Sequence, residues 1–128
     1  MSRFLDPLLL EDDGDGLPWR LFQSLRYQSD YLAATVLVPE GFSTDLASIP
    51  RALQWLYPPT GSYSRAAVIH DWLYATAEVA DQPVDRGDAD TVLNEAMTVC
   101  GVGRFVRWTI YTAVRVGGWQ SWARYRAS

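Results

Sequence analysis

The chain has 128 residues, 48% of them apolar, with abundant aromatic residues and a formal net charge of −4. That is the size and composition of one domain able to bury its own core, and it excludes intrinsic disorder. The one cysteine, Cys100, excludes an internal disulfide framework, and the acidic balance argues against general nucleic-acid binding.

In chain order, residues 1–16 read as an N-terminal arm. It ends in an acidic turn of Glu11, Asp12, Asp13 and Asp15 with two glycines. The apolar run Leu8-Leu9-Leu10 is too short for the core of a signal peptide, and no run approaches the length of a membrane span. No secretion signal and no transmembrane segment are expected.

Residues 17–45 form the β-rich part. Trp19, Leu21, Leu25 and Tyr27 alternate in twos, and "YLAATVLV" (31–38) is rich in β-formers. A turn at Gln28-Ser29-Asp30 makes a hairpin the expectation. Thr44, Asp45 and Ser48 then form a polar cluster, read locally as caps and an Asx-turn.

Residues 46–128 form the helical part. "LASIPRALQWLY" suggests a short helix with Ser48 as N-cap, stopped by "PPTG". "SYSRAAVIHDWLYATAEVA" suggests the next helix, capped by Ser62 or Ser64. Its face comprises Ala66, Ile69, His70, Leu73, Tyr74 and Ala77. After the loop at 78–87, "ADTVLNEAMTVCG" reads as a helix with Asp88 as N-cap and Gly101 as its stop. A last helix from Gly103 is interrupted at Gly117-Gly118. The expected architecture is α+β, one domain, with a small antiparallel sheet or hairpin followed by three to four helices.

The chemistry concentrates at "VIHDWLYA" (68–75), which holds the chain's one histidine. In a helix, His70 and Tyr74 share a face, while Asp71 is turned about 100° away. On the next helix Asp90, Leu93 and Met97 recur at three and four, so Asp90 should point inward with them. An inward carboxylate needs a partner. If the two helices are antiparallel neighbours, Asp90 reaches His70 and makes it a candidate general base towards water. Asp71 is then a candidate metal ligand. Asp45 is a further candidate, as a carboxylate ligand or as a partner of His70. A zinc site of histidines and cysteines is disfavoured with one of each.

These residues carry two resemblances. "GFSTDLASIPR", "YSRAAVIHDWLY" and "DADTVLNEAM…GV" resemble, in order, the motifs of DUF1353, a mostly phage- and prophage-encoded family of unknown function. That resemblance covers about residues 35–118. It implies a phage-encoded protein of the virion or host cytoplasm, a virion or assembly component such as a tail-associated one. Its partners would be other phage structural proteins or itself. More distantly, His70-Asp71-Trp72-Leu73-Tyr74 is similar to the His-Asp-x-x-Tyr helix of phospholipase A2. This implies that His70 activates water, Asp71 binds calcium, and Tyr74 and Asp90 support His70. The alternative function is therefore a metal-dependent ester hydrolase working at a phospholipid surface during infection. The sequence departs from the secreted enzymes at Leu73, where they carry cysteine. It also lacks their glycine-rich calcium loop, since "PPTG" offers only Gly61.

From Gly103 to Ser128 there are five arginines and no acid, with Trp108, Trp119 and Trp122 among them. Phe105 to Val116 reads as an amphipathic helix closing the core, and "WQSWARYRAS" as a partner contact.

Overall fold

The computed structural model describes residues 1–11, 19–44 and 63–127. The described strands are β1 (Arg3–Phe4), β2 (Leu10–Glu11), β3 (Trp19–Leu21), β4 (Leu25–Ser29), β5 (Ala34–Val38), β6 (Ser43–Thr44), β7 (Glu78–Val79) and β8 (Gln82–Pro83). The described helices are α1 (Ser64–Thr76), α2 (Arg86–Val99), α3 (Arg104–Gly117) and α4 (Trp119–Ala127). The class is α+β, as the sequence predicts. The strands form two three-stranded antiparallel sheets, ordered β1-β4-β5 and β2-β3-β6, and the separate β7-β8 hairpin.

The β4-β5 hairpin follows the two-residue alternation. Leu25, Tyr27, Val36 and Val38 are buried, whereas Arg26 and Leu37 between them are exposed. The register sets Leu25 opposite Val38 and Tyr27 opposite Val36, so the apolar face is continuous. The turn is displaced from its expected place. β4 runs on through Gln28 and Ser29, and the chain reverses at Asp30–Ala33, with Ala33 at φ 53°. Ser29 stays in the strand because its buried hydroxyl has partners there: it donates to Glu95 (2.7 Å) and accepts from the Leu32 N–H (3.1 Å). Trp19 and Leu21 leave this hairpin altogether and join the second sheet, where Trp19 faces Thr44 and Leu21 faces Leu10.

The helices start and stop close to where capping chemistry indicates. α1 begins with Tyr63 as N-cap and no side-chain cap, so Ser64 is its first residue rather than its cap; Ser62 lies outside the described residues. α2 is capped by Asp85, not Asp88. Asp88 occupies the third helical position and closes a reciprocal capping box with Asp85, at 2.7 and 3.2 Å. At its other end Gly101 takes φ 79°. The Gly101 and Val102 N–H groups bond back to Thr98 and Met97, a Schellman stop that needs a residue comfortable in the left-handed region. The 78–87 segment carries the β7-β8 hairpin, whose two turn residues, Ala80 and Asp81, both have positive φ. α3 and α4 part at Gly117-Gly118, as expected. The short helix expected at "LASIPRALQWLY" lies outside the described residues.

One apolar core joins the sheets to the helices, running from Leu21, Leu25 and Tyr27 through Ile69 and Leu73 to Leu93, Met97 and Ile110. A polar clasp fixes the sheet against α2. Glu95 accepts from the Tyr27 hydroxyl (2.8 Å), the Ser29 hydroxyl (2.7 Å) and the Tyr31 N–H (2.9 Å). No helix among the described residues is long and apolar enough to cross a membrane.

Removing the Glu95 carboxylate strands two buried hydroxyls. Glu95→Ala should therefore lower the unfolding free energy by about 2–3 kcal/mol, read as a lower urea midpoint at unchanged m-value. Glu95→Gln should lose less, and an unchanged midpoint in Glu95→Ala would show that the clasp contributes nothing.

Candidate functional site

α1 and α2 pack side by side, and the residues singled out in the sequence meet between them. His70 is 2% exposed, and Asp90 is completely buried. His70 Nε2 lies 2.6 Å from Asp90 Oδ1, and the Tyr74 hydroxyl donates to the same oxygen at 2.7 Å. The Tyr74 ring also leans on the imidazole, with centroids 4.2 Å apart. An ionised carboxylate only accepts hydrogen bonds, so Nε2 carries the proton in this contact, and in the neutral ring Nδ1 is the basic nitrogen.

The second carboxylate oxygen is held by arginines. Arg115 on α3 donates to Asp90 Oδ2 at 2.8 Å. Arg86, one turn before Asp90 on α2, stands 3.5 Å from the same atom. Arg86 also bonds the Arg115 carbonyl (3.3 Å) and the Val114 carbonyl (3.1 Å), which already accepts the Gly118 N–H, and so ties the end of α3 to α2. Burial alone would raise the Asp90 carboxyl. The hydrogen bonds from His70 and Tyr74, with that of Arg115, outweigh it and hold the group below its ordinary value. Burial, and then the bond to the Asp90 anion, push the Tyr74 hydroxyl well above its ordinary range.

Asp71 leaves α1 on another side. It accepts a hydrogen bond from the Thr44 hydroxyl on β6. Beside it Phe42 packs edge-on against Trp72, with centroids 5.1 Å apart. The polar cluster after β5 therefore does reach the histidine-bearing helix, through Thr44 and Asp71. Asp45 and Ser48 lie outside the described residues. Calcium needs about six to eight oxygen ligands. Among the described residues no group of three or more histidine, cysteine or acidic side chains stands close enough to hold an ion.

α4 closes the far end of this network from within the chain. Trp122 packs edge-on against Tyr74 (5.2 Å), and Arg126 stacks on Trp122 (4.5 Å). Arg126 also donates to the Tyr74 and Ala75 carbonyls at the end of α1, at 2.6 and 3.0 Å. The part of "WQSWARYRAS" expected to contact a partner thus spends Trp122 and Arg126 internally, because the open carbonyls of α1 need donors. Gly118 permits the approach: a Cβ there would meet the Val114 carbonyl and lie 2.5 Å from the Tyr74 hydroxyl.

Sequence reasoning placed His70, Tyr74 and Asp90 on facing surfaces but did not identify Arg86 or Arg115, and read Thr44 as a cap rather than as the partner of Asp71. Arg86 had a signal, since it precedes Asp90 by four residues, the spacing of a helical ion pair. Arg115 had none, being one of five arginines in an acid-free tail.

Asp90→Ala leaves two arginines and a buried imidazole without their anion, and should cost about 3–5 kcal/mol. The pH dependence has a definite sign. A carboxyl held below its ordinary 3.8 adds stability that is present above that value and lost as pH falls through the lower folded-state value. Folded Asp90→Asn should therefore lose less stability on acidification than wild type, as followed by circular dichroism. Identical acid profiles would contradict this account. Gly118→Ala should cost about 1–3 kcal/mol through overpacking against Tyr74, measured as a lowered Tm.

A family model described as "Protein of unknown function (DUF1353)" matches residues 19–114. No curated protein and no solved structure matches the chain significantly.

Proposed function

The chain belongs to the DUF1353 family, and we propose that its His70–Asp90 pair is the general-base dyad of an ester hydrolase acting on phospholipid. The observation that carries this reading is the 2.6 Å contact of His70 Nε2 with a fully buried Asp90. A carboxylate on one imidazole nitrogen fixes the tautomer and makes the other nitrogen the base.

In this reading Nδ1 takes a proton from water as the water oxygen attacks the ester carbonyl. The imidazolium then returns the proton to the departing alkoxide oxygen, and the carbonyl carbon leaves as a carboxylic acid. Asp90 does not take the proton itself. Arg115 and Arg86 on its other oxygen weaken it as a base, so it remains the anion that orients and stabilises the imidazolium. Tyr74 donates to the same Oδ1 and packs against the imidazole, holding both in place.

A second reading has its own support. The same enclosure, with every donor in the network satisfied, is what an architectural clasp requires. A phage virion or assembly component that docks its partners, and keeps this helix pair as scaffold, would need nothing more from His70.

The two readings separate by acyl release. Wild type, folded His70→Ala and folded Asp71→Asn are compared on short-chain phospholipid dispersed as monomers and on vesicles, each with calcium and with chelator. The hydrolase reading expects turnover on the monomeric substrate that falls by about a thousandfold in His70→Ala. A loss in Asp71→Asn matched by a loss in chelator would give Asp71 a metal. No release from either substrate by folded protein with calcium present would leave the helix pair as scaffold.

A further inference from the structure

α3 has two apolar faces, and only one of them is used. Ile110 and Val114 are buried in the core. Across the helix, Phe105, Trp108, Thr112 and Val116 recur at steps of three and four. At 100° per residue they fall within about 80° of one another. Phe105 is 73% exposed, Trp108 64% and Val116 72%; Trp119, which opens α4, is 56% exposed. The Phe105 and Trp108 rings lie 6.5 Å apart. Such a run of large apolar side chains on a charged surface marks a contact site.

Charge says what the contact is with. Residues 103–128 hold five arginines and no acid, while the other 102 residues hold all fifteen acids and six arginines. Three of the five arginines are engaged within the chain: Arg107 on the Val102 carbonyl, Arg115 on Asp90 and Arg126 on the end of α1. Arg104 and Arg124 are exposed, and among the described residues no carboxylate pairs with either. An aromatic stripe and two available guanidinium groups, on one segment without repelling carboxylates, are complementary to one surface in both respects. The headgroup layer of an anionic bilayer takes tryptophan and phenylalanine at its apolar boundary and presents phosphates to arginine.

We propose that the outer face of α3 with the start of α4 is a docking surface for anionic membrane, through Phe105, Trp108, Val116 and Trp119 with Arg104 and Arg124. Arg115 leaves the same helix within about 20° of Trp108 and reaches Asp90 with its side chain, so the proposed surface borders the Asp90 cluster. As the surface that brings lipid substrate to the proposed hydrolase, it rests on that reading. As a lipid-binding surface it is measured without turnover.

The experiment is co-sedimentation of the full chain with phosphatidylcholine vesicles, with and without phosphatidylglycerol, in chelator. Phe105→Ser/Trp108→Ser and Arg104→Glu/Arg124→Glu are compared with wild type after thermal melts confirm their folding. Expected are pelleting that requires phosphatidylglycerol, weakening as salt rises, and a loss of about tenfold or more in each double variant. Equal pelleting with both vesicles, no pelleting, or variants that pellet like wild type would each overturn the proposal. So would size-exclusion profiles in which wild type self-associates and the aromatic variant does not, since the face would then belong to a second copy. Binding that persists while acyl release is absent would sink the hydrolase and leave this surface standing.

Discussion

A carboxylate taken wholly out of water is tolerated only where donors surround it, and Asp90 has drawn its donors from three helices. His70 and Tyr74 come from α1, Arg86 from α2 and Arg115 from α3. Each has to arrive at one of two oxygen atoms only a few ångströms apart. This single requirement fixes the rotation of α1 about its axis, the stagger of α1 against α2, and the place where α3 crosses them. The apolar core tolerates small slips of one helix past another. A hydrogen-bonded ion cluster does not, because a misplaced donor leaves a buried charge unsatisfied.

α2 distributes this constraint. Asp90 and Glu95 sit on well-separated sides of the helix, five residues apart. Asp90 gathers the helices, while Glu95 gathers the hairpin through Tyr27, Ser29 and the Tyr31 N–H. The helix between them is held by a capping box at one end and a Schellman stop at the other. α4 adds a lock at the open end of α1, where Arg126 takes the Tyr74 and Ala75 carbonyls and Trp122 covers the Tyr74 ring. Gly118 is the hinge of this closure, since any side chain there would displace the Tyr74 hydroxyl from its place beside Asp90.

The same helix serves two environments. Arg115 turns inward to an anion that would otherwise be intolerable, while Trp108 and Val116 turn outward into water that gains nothing from them. A fold stabilised only by its own core would place smaller or polar side chains at those outer positions. The chemistry around His70 and the surface of α3 are thus adjacent parts of one construction, joined by the Arg115 side chain.

Local rules were enough for much of this. The three-and-four spacing of Asp90, Leu93 and Met97 required an inward acid, and the need of a buried acid for a donor led to His70 and Tyr74 across the helix pair. Glycine and aspartate chemistry bounded the helices to within a few residues, missing at Asp88 because Asp85 completes the better cap. The β alternation at 25–38 was visible, but its turn was misplaced: Ser29 looks like a turn residue until Glu95, 66 residues away, gives its hydroxyl a partner inside the strand. Which strand takes Trp19 as a neighbour, which of eleven arginines reaches Asp90, and why Gly118 has no side chain depend on surfaces far apart in the chain. The sequence by itself determined periodicity, caps and the demand of a buried charge for company. Only the tertiary structure decided who answers that demand, because hydrogen bonds are satisfied in space and the spacing along the chain records only the local part of it.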